Sequence, residues 1–191
     1  TLTASLIYKI DISSVTKEQR QEGKTLNFAL LYGMGYRKYK TYAAQSGKMI
    51  SLSEAKIAHA AFHLAYPRLR AWHQERASLV QEGWAYIRTA CGRRRLLSYD
   101  DATMMCSANT LIQGSGADIL KLAIADLNKH LNEDVRLVAA VHDELVLEVK
   151  EELAETYKEI LETTMIKSAE TVLKSVPSSA DASVGSSWAA K

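Results

Sequence analysis

Between Val135 and Val149 the apolar residues of this chain stop following helical spacing and begin to alternate. Val135, Leu137, Ala139 and Val141 alternate with Arg136, Val138 and Ala140. After His142-Asp143-Glu144, Leu145, Leu147 and Val149 alternate with Val146 and Glu148. A period of two sends successive side chains to opposite faces of a strand, so two such runs around a short polar link predict a β-hairpin over about 135–149. Almost everything else keeps a helical period. The class that satisfies both is α+β, mostly helical.

Punctuation sets the helices. Thr16 or Ser14 is placed to cap a helix over about 16–32, which Gly33 and Gly35 end, because glycine tolerates the left-handed conformation at a helix C-terminus. A second helix over about 36–46 stops at Gly47. Ser51 or Ser53 opens a third, with Ile57, Ala60, Ala61, Leu64 and Ala65 at helical spacing, and Pro67 starts a fourth that runs to Gly83. From Trp84 to Leu97 the texture changes: Tyr86, Ile87 and Thr89 favour a strand, and Cys91-Gly92 reads as a turn into Arg93-Arg94-Arg95. A long helix is predicted over about 103–131, its buried face made by Leu111, Ile112, Ile119, Leu120, Leu122, Ala123 and Leu127. An amphipathic helix follows the hairpin, and a short strand is expected near Ala182–Val184.

Charge is the compositional feature that bears on function. The net charge of +2 conceals an asymmetry: residues 1–100 hold 16 Lys/Arg against 7 Asp/Glu, and residues 101–191 hold 8 against 15. A basic block suits a polyanionic partner, through counterion release and electrostatic steering, and it equally suits solvated helix faces. No run approaches the roughly 18–20 apolar residues of a membrane helix, and no signal-peptide pattern opens the chain. Cys91 and Cys106 are too few for a disulfide framework or a CxxC metal knuckle, which fits a reducing cytoplasm or organelle matrix.

Two segments carry chemistry. Arg20, Lys24, Phe28 and Tyr32 recur every four residues and form one drifting stripe on a helix. Two cations followed by two aromatics match a nucleotide laid along the axis, with Arg and Lys at the phosphates and the rings at sugar and base. The same stripe describes an amphipathic helix with aromatics in the core and cations in water. At the hairpin turn, Asp143 and Glu144 are adjacent carboxylates suited to a hard divalent cation, or a solvated turn in which Asp is a common residue. His59 and His63 lie four apart, but no Glu follows His59 as an HExxH motif requires and no third ligand is evident, so helix packing accounts for them better. The acidic residues Glu151, Glu152, Glu155, Glu159 and Glu162 read as a solvated helix face.

Taken as motifs, these segments resemble family A (polymerase I-type) DNA polymerases. Arg20-x3-Lys24-x3-Phe28-x3-Tyr32-Gly33, with Asn27 before the Phe, fixes six residue types over fourteen positions and resembles motif B of the fingers. Val141-His142-Asp143-Glu144 resembles motif C on the palm hairpin. Thr89-x-x-Gly92-Arg93-Arg94 is similar to the family's element beside the template–primer duplex, and Asn109-x3-Gln113-Gly114 to its palm helix. Tyr66-Pro67 and the ending Val184 to Trp188 agree as well, so the resemblance runs in the family's order over nearly the whole chain.

The resemblance implies a right-hand polymerase. Residues 1–15 are then a palm-to-fingers connection, 16–83 the fingers, and 84–191 the C-terminal palm with part of its antiparallel sheet. Arg20, Lys24, Phe28 and Tyr32 become dNTP-binding residues, and Lys24, Asp143 and Glu144 the catalytic ones, with Asp143 a metal ligand. His142, Asn109, Gln113, Arg93, Arg94 and Gly33 become DNA contacts. The implied reaction moves a nucleotidyl group from a dNTP to a primer 3′-hydroxyl with two Mg²⁺ ions, which two aspartates hold. Only Asp143 has a counterpart here, since no Asp-Tyr-Ser element of motif A is found. The chain is therefore expected to begin just after motif A, to act with an N-terminal part of the same polymerase, and to be inactive alone. Thr1 is compatible with a residue that follows an intein. The alternative is a non-catalytic DNA-binding module derived from a polymerase. One departure bears on duplex contacts: Met105 stands where the family usually has an Arg four residues before the palm-helix Asn. The link from Gly92 to Asn109 is also shorter than in typical bacterial members.

Overall fold

The structure is a computed structural model that describes residues 1–45, 47–82, 86–98 and 103–188. Gly83 and Trp84, where the sequence ends one helix and begins a strand-like stretch, lie outside the described residues. The chain divides into two compact units, residues 1–87 with 95–109 and residues 88–94 with 110–191.

The first unit is a helical cluster of α1 (Leu2–Tyr8), α2 (Lys17–Leu31), α3 (Tyr36–Gln45), α4 (Leu52–Ala65) and α5 (Pro67–Gln81). Local chemistry sets the helix starts. The Thr16 hydroxyl accepts from the Gln19 N–H while the Gln19 side chain returns to the Thr16 N–H, and Ser51 and Glu54 repeat this at α4. Such reciprocal caps contribute about 1 kcal/mol each. Pro67 opens α5, where its missing N–H costs nothing. The core joins Leu26, Ala29 and Leu30 of α2 to Tyr39, Ala43, Ala55 and Phe62. A polar chain flanks it: the Asn27 amide donates to Thr3 Oγ1 at 2.9 Å, and Thr3 Oγ1 lies 2.8 Å from the Tyr66 hydroxyl. His73 is buried, and its Nε2–H donates to the Leu31 carbonyl at 2.8 Å, since a carbonyl can only accept.

The second unit packs the C-terminal part of α6 (Met104–Leu127) and α7 (Ala154–Val172) against a hairpin of β3 (Val135–Val141) and β4 (Glu144–Val149). The register runs from Val135↔Val149 to Val141↔Glu144, with a bulge that leaves Val138 without a partner between Leu137 and Ala139. Ala123, Leu127 and Leu145 form the core, lined by Leu137, Leu147, Ile160, Leu161 and Met165. Burying side chains of this kind stabilises by about 1.5–3 kcal/mol each. A smaller two-stranded sheet pairs β1 (Tyr86–Arg88) with β2 (Arg94–Leu96).

Two expectations are corrected. Residues 182–184 form no strand; the Ala182 N–H is taken by the Glu162 side chain at 2.7 Å, so a sheet ladder is not needed to satisfy it. Leu122, placed on the buried face of α6, is 40% exposed. None of the described helices is long and apolar enough to cross a membrane.

Candidate functional site

Helix α2 sorts its residues sharply. Gly23, Leu26, Ala29 and Leu30 face the core, whereas Arg20, Lys24 and Phe28 are exposed and Tyr32 is half-buried at the C-terminal cap. A large aromatic at 56% exposure contributes little to folding, so the reading in which these aromatics are core fails at Phe28. The Lys24 ammonium stands 5.9 Å from the Phe28 ring centroid, which places cation and ring side by side on the outward face. Behind Tyr32 the chain turns at Gly33, φ +80°, where an added Cβ would lie 2.2 Å from the Met104 methyl. The left-handed backbone is what favours glycine here, since the Met104 methyl is the end of a flexible side chain that can move aside. Phe28, Tyr32 and Met34 share a cleft of about 430 Å³ with Arg95, Met105, Cys106 and Asn109. The structure thus brings Asn109 to the aromatic end of the α2 stripe. Met105, in place of the expected Arg, lines the same cleft, whose arginine is Arg95.

The hairpin turn is built differently. Val141 pairs with Glu144, leaving His142 and Asp143 as a two-residue connection. Such turns need a left-handed residue, and His142 supplies it at φ 56°. A non-glycine residue there costs about 1 kcal/mol or more, and strain of this kind concentrates at working sites. Asp143 projects at the tip and is exposed; Glu144 begins β4 and is half-buried. Exposed oxygen donors at a tight turn suit Mg²⁺, which takes one or two carboxylates and completes its shell with substrate oxygens. Among the described residues no group of three or more His, Cys, Asp or Glu is arranged to hold a metal.

The turn after β1 holds a network that helical periodicity did not reveal. Asp118 is buried on α6, where it accepts from the Thr89 hydroxyl and, at 2.6 Å, from Arg93 Nε–H. Arg93 Nη2 also donates to the Gly114 carbonyl at 3.0 Å, and the Ala90 N–H donates to Ser115 Oγ at 2.8 Å. Desolvation pushes the Asp118 carboxyl up, but the Thr89 and Arg93 hydrogen bonds and the Arg93 and Lys121 charges outweigh it, leaving its pKa below the usual carboxylate value. Arg94, the next residue, is exposed, as are Asn109 and Gln113, one turn apart on α6.

A third imidazole, His73, joins His59 and His63. His63 lies between His59 and His73, with ring centroids 4.5 and 6.0 Å away. His73 is already committed to the Leu31 carbonyl. Burial above all, with the neighbouring His59, His73 and Arg70 charges, lowers the His63 pKa to about 4, so the ring is neutral near pH 7.

The sequence profile of DNA polymerase family A matches residues 1–190. The chain belongs to this family. DNA polymerase I of Aquifex aeolicus (strain VF5) is 35% identical over 191 residues, covering 97% of this chain and 33% of that protein. DNA polymerase I of Pseudomonas aeruginosa is 32% identical over 198 residues, covering 97% of this chain and 21% of that protein. The chain therefore spans about a third or less of the length of these relatives. Among solved structures, the POL domain of Pol1 from M. smegmatis, in complex with DNA primer-template and dNTP, superposes with a TM-score of 0.73 at 26% identity. That superposition covers 87% of this chain and 30% of that one. Family A membership agrees with the mostly helical fold and its small antiparallel sheets.

Proposed function

We propose that this chain is the dNTP-gripping and primer-end part of a family A DNA polymerase, and that it supplies one of the two metal-holding aspartates for nucleotidyl transfer. The observation that carries this reading is the outward face of α2, where Arg20, Lys24 and a 56% exposed Phe28 stand clear of the core that Leu26, Ala29 and Leu30 build. Residues 16–83 act as fingers and residues 84–191 as palm.

In this role Arg20 and Lys24 hold the triphosphate, Arg through its planar fork and Lys as a point charge. Phe28 packs on the sugar and base, and Tyr32 stands beside the nascent base pair within the cleft it shares with Asn109. Asn109 and Gln113 face the duplex minor groove and template, Arg93 and Arg94 its phosphates, and Gly33 lets the backbone approach closely. His142 lies at the primer terminus. Asp143, with Glu144 beside it, would hold Mg²⁺, which would supply charge neutralisation during nucleotidyl transfer. The primer 3′-oxygen loses its proton and bonds to the α-phosphorus, and the bond to pyrophosphate breaks. Lys24 stabilises the charge that develops on the leaving group.

The second aspartate comes from a motif A segment outside these residues. Primer extension tests the reading: the chain should extend a primer with Mg²⁺ only when a motif A-bearing partner is added. Extension by the chain alone would refute the one-aspartate site. Duplex binding with no rescue by any such partner would instead favour a DNA-binding module.

A further inference from the structure

We infer that Asp118 is a positioning residue that orients Arg93 as a preset donor to a phosphate of the primer–template duplex. The inference rests on the proposed reading that this chain binds duplex DNA, and it adds a residue to which no part of that reading assigns a role. Arginine carries five N–H donors in a rigid fork. Arg93 points Nε–H at the Asp118 carboxylate and one Nη2 donor at the Gly114 carbonyl, yet 45% of its side chain remains exposed. The inner edge of the guanidinium is thereby fixed to α6, and the outer edge is left for a partner.

The surroundings brace this arrangement from both sides. The second Asp118 oxygen accepts from the Thr89 hydroxyl, whose oxygen in turn accepts the Arg93 backbone N–H at 3.1 Å. The carboxylate therefore holds the turn and its arginine together. Gly114 makes room for the contact, since a Cβ there would lie 2.7 Å from the Thr89 methyl and 3.5 Å from Arg93 Nη2. A surface arginine normally gives up rotamer freedom when it grips a phosphate. Here that freedom is removed on folding, so less is lost on binding. A lysine would keep the charge, but it lacks the fork that allows one edge to face Asp118 and another to face outward.

The test is binding of the chain to a fluorescein-labelled primer–template duplex across a salt series, for wild type, Arg93→Ala, Arg93→Lys, Asp118→Asn and Arg93→Ala/Asp118→Asn. Arg93→Ala should weaken binding roughly tenfold and lower the slope of log K against log salt by about one, as loss of one phosphate contact does. Arg93→Lys should lose nearly as much. Asp118→Asn should lose several-fold in a wild-type background and nothing further when Arg93 is already Ala, because it acts through that side chain. Independent losses in the double variant, or wild-type affinity for Asp118→Asn in a folded chain, would overturn the positioning role while leaving the DNA-binding reading intact. If Asp118→Asn does not fold, Arg93→Lys decides: wild-type affinity there refutes a requirement for the fork. A wild-type chain without salt-dependent duplex binding would defeat the functional reading and this inference together.

Discussion

The α2 face and the β3–β4 turn present functional groups by opposite means. On α2 the positions follow from helix periodicity alone: a four-residue repeat carries Arg20, Lys24 and Phe28 outward while Leu26, Ala29 and Leu30 anchor the opposite side. Caps at Thr16 and the Asn27–Thr3 bond hold the helix, and no residue within it is strained. At the turn, two residues do everything. His142 accepts a left-handed backbone so that Asp143 stands at the tip. A helix face tolerates the loss of one member and keeps its geometry; a two-residue turn does not. The proposed dNTP grip should therefore fail by degrees and the proposed metal side abruptly.

The largest effect is expected at Asp143. In a polymerase completed with motif A, Asp143→Asn should lower metal-dependent extension on the order of 10³-fold, because a metal site contributes several kcal/mol to the transition state. The dissociation constant for duplex DNA should stay unchanged; a parallel loss of DNA affinity would make the residue a DNA contact instead. Lys24→Ala comes next. It should reduce kcat/KM for dNTP by roughly 10²-fold with little change in DNA binding, as removal of a charge-assisted phosphate contact implies. Equal losses in both would remove Lys24 from the triphosphate.

A matched pair on one helix sharpens the contrast between faces. Leu30→Ala should destabilise by about 2–5 kcal/mol in thermal unfolding. Phe28→Ala should stay within about 0.5 kcal/mol of wild type, while dNTP affinity falls roughly tenfold through loss of stacking. Similar destabilisation by both would mean that Phe28 belongs to the core. The smallest effect concerns pH. The His63 pKa falls from 6.5 to about 4 on folding, so the unfolded chain binds the extra proton between those values. Stability should be complete above pH 6.5 and decline as pH falls toward 4. Between pH 7 and 5, wild type should lose a few degrees more in Tm than His63→Leu; identical slopes would place the titrating group elsewhere.

Much of this organisation was legible from residue order. Thr16 with Gln19, Ser51 with Glu54, and Pro67 mark helix starts by local bonding, and alternation from Val135 to Val149 marks the hairpin. What local reading missed depends on distant partners. Ile57 and Leu64 share helical spacing yet face outward, because the inward face is chosen by what Ala55 and Phe62 meet in other helices. Asp118 reads as an ordinary polar position on α6, and only contact with Thr89 and Arg93, 29 and 25 residues earlier, explains its burial. His73 likewise gains its role from Leu31, 42 residues away. The Ala182–Val184 stretch reads as a strand because its composition suits one, whereas its N–H is satisfied by a side chain of α7.

The central claim is that the outward face of α2 receives the nucleotide. A photoreactive 8-azido-dATP, bound with primer–template and Mg²⁺ and mapped by mass spectrometry after irradiation, tests it most directly. Labelling should fall on the segment from Arg20 to Gly33, centred on Phe28 and Tyr32, and should be lost in Lys24→Ala. Labelling confined to other segments, or unchanged by that substitution, would contradict the account.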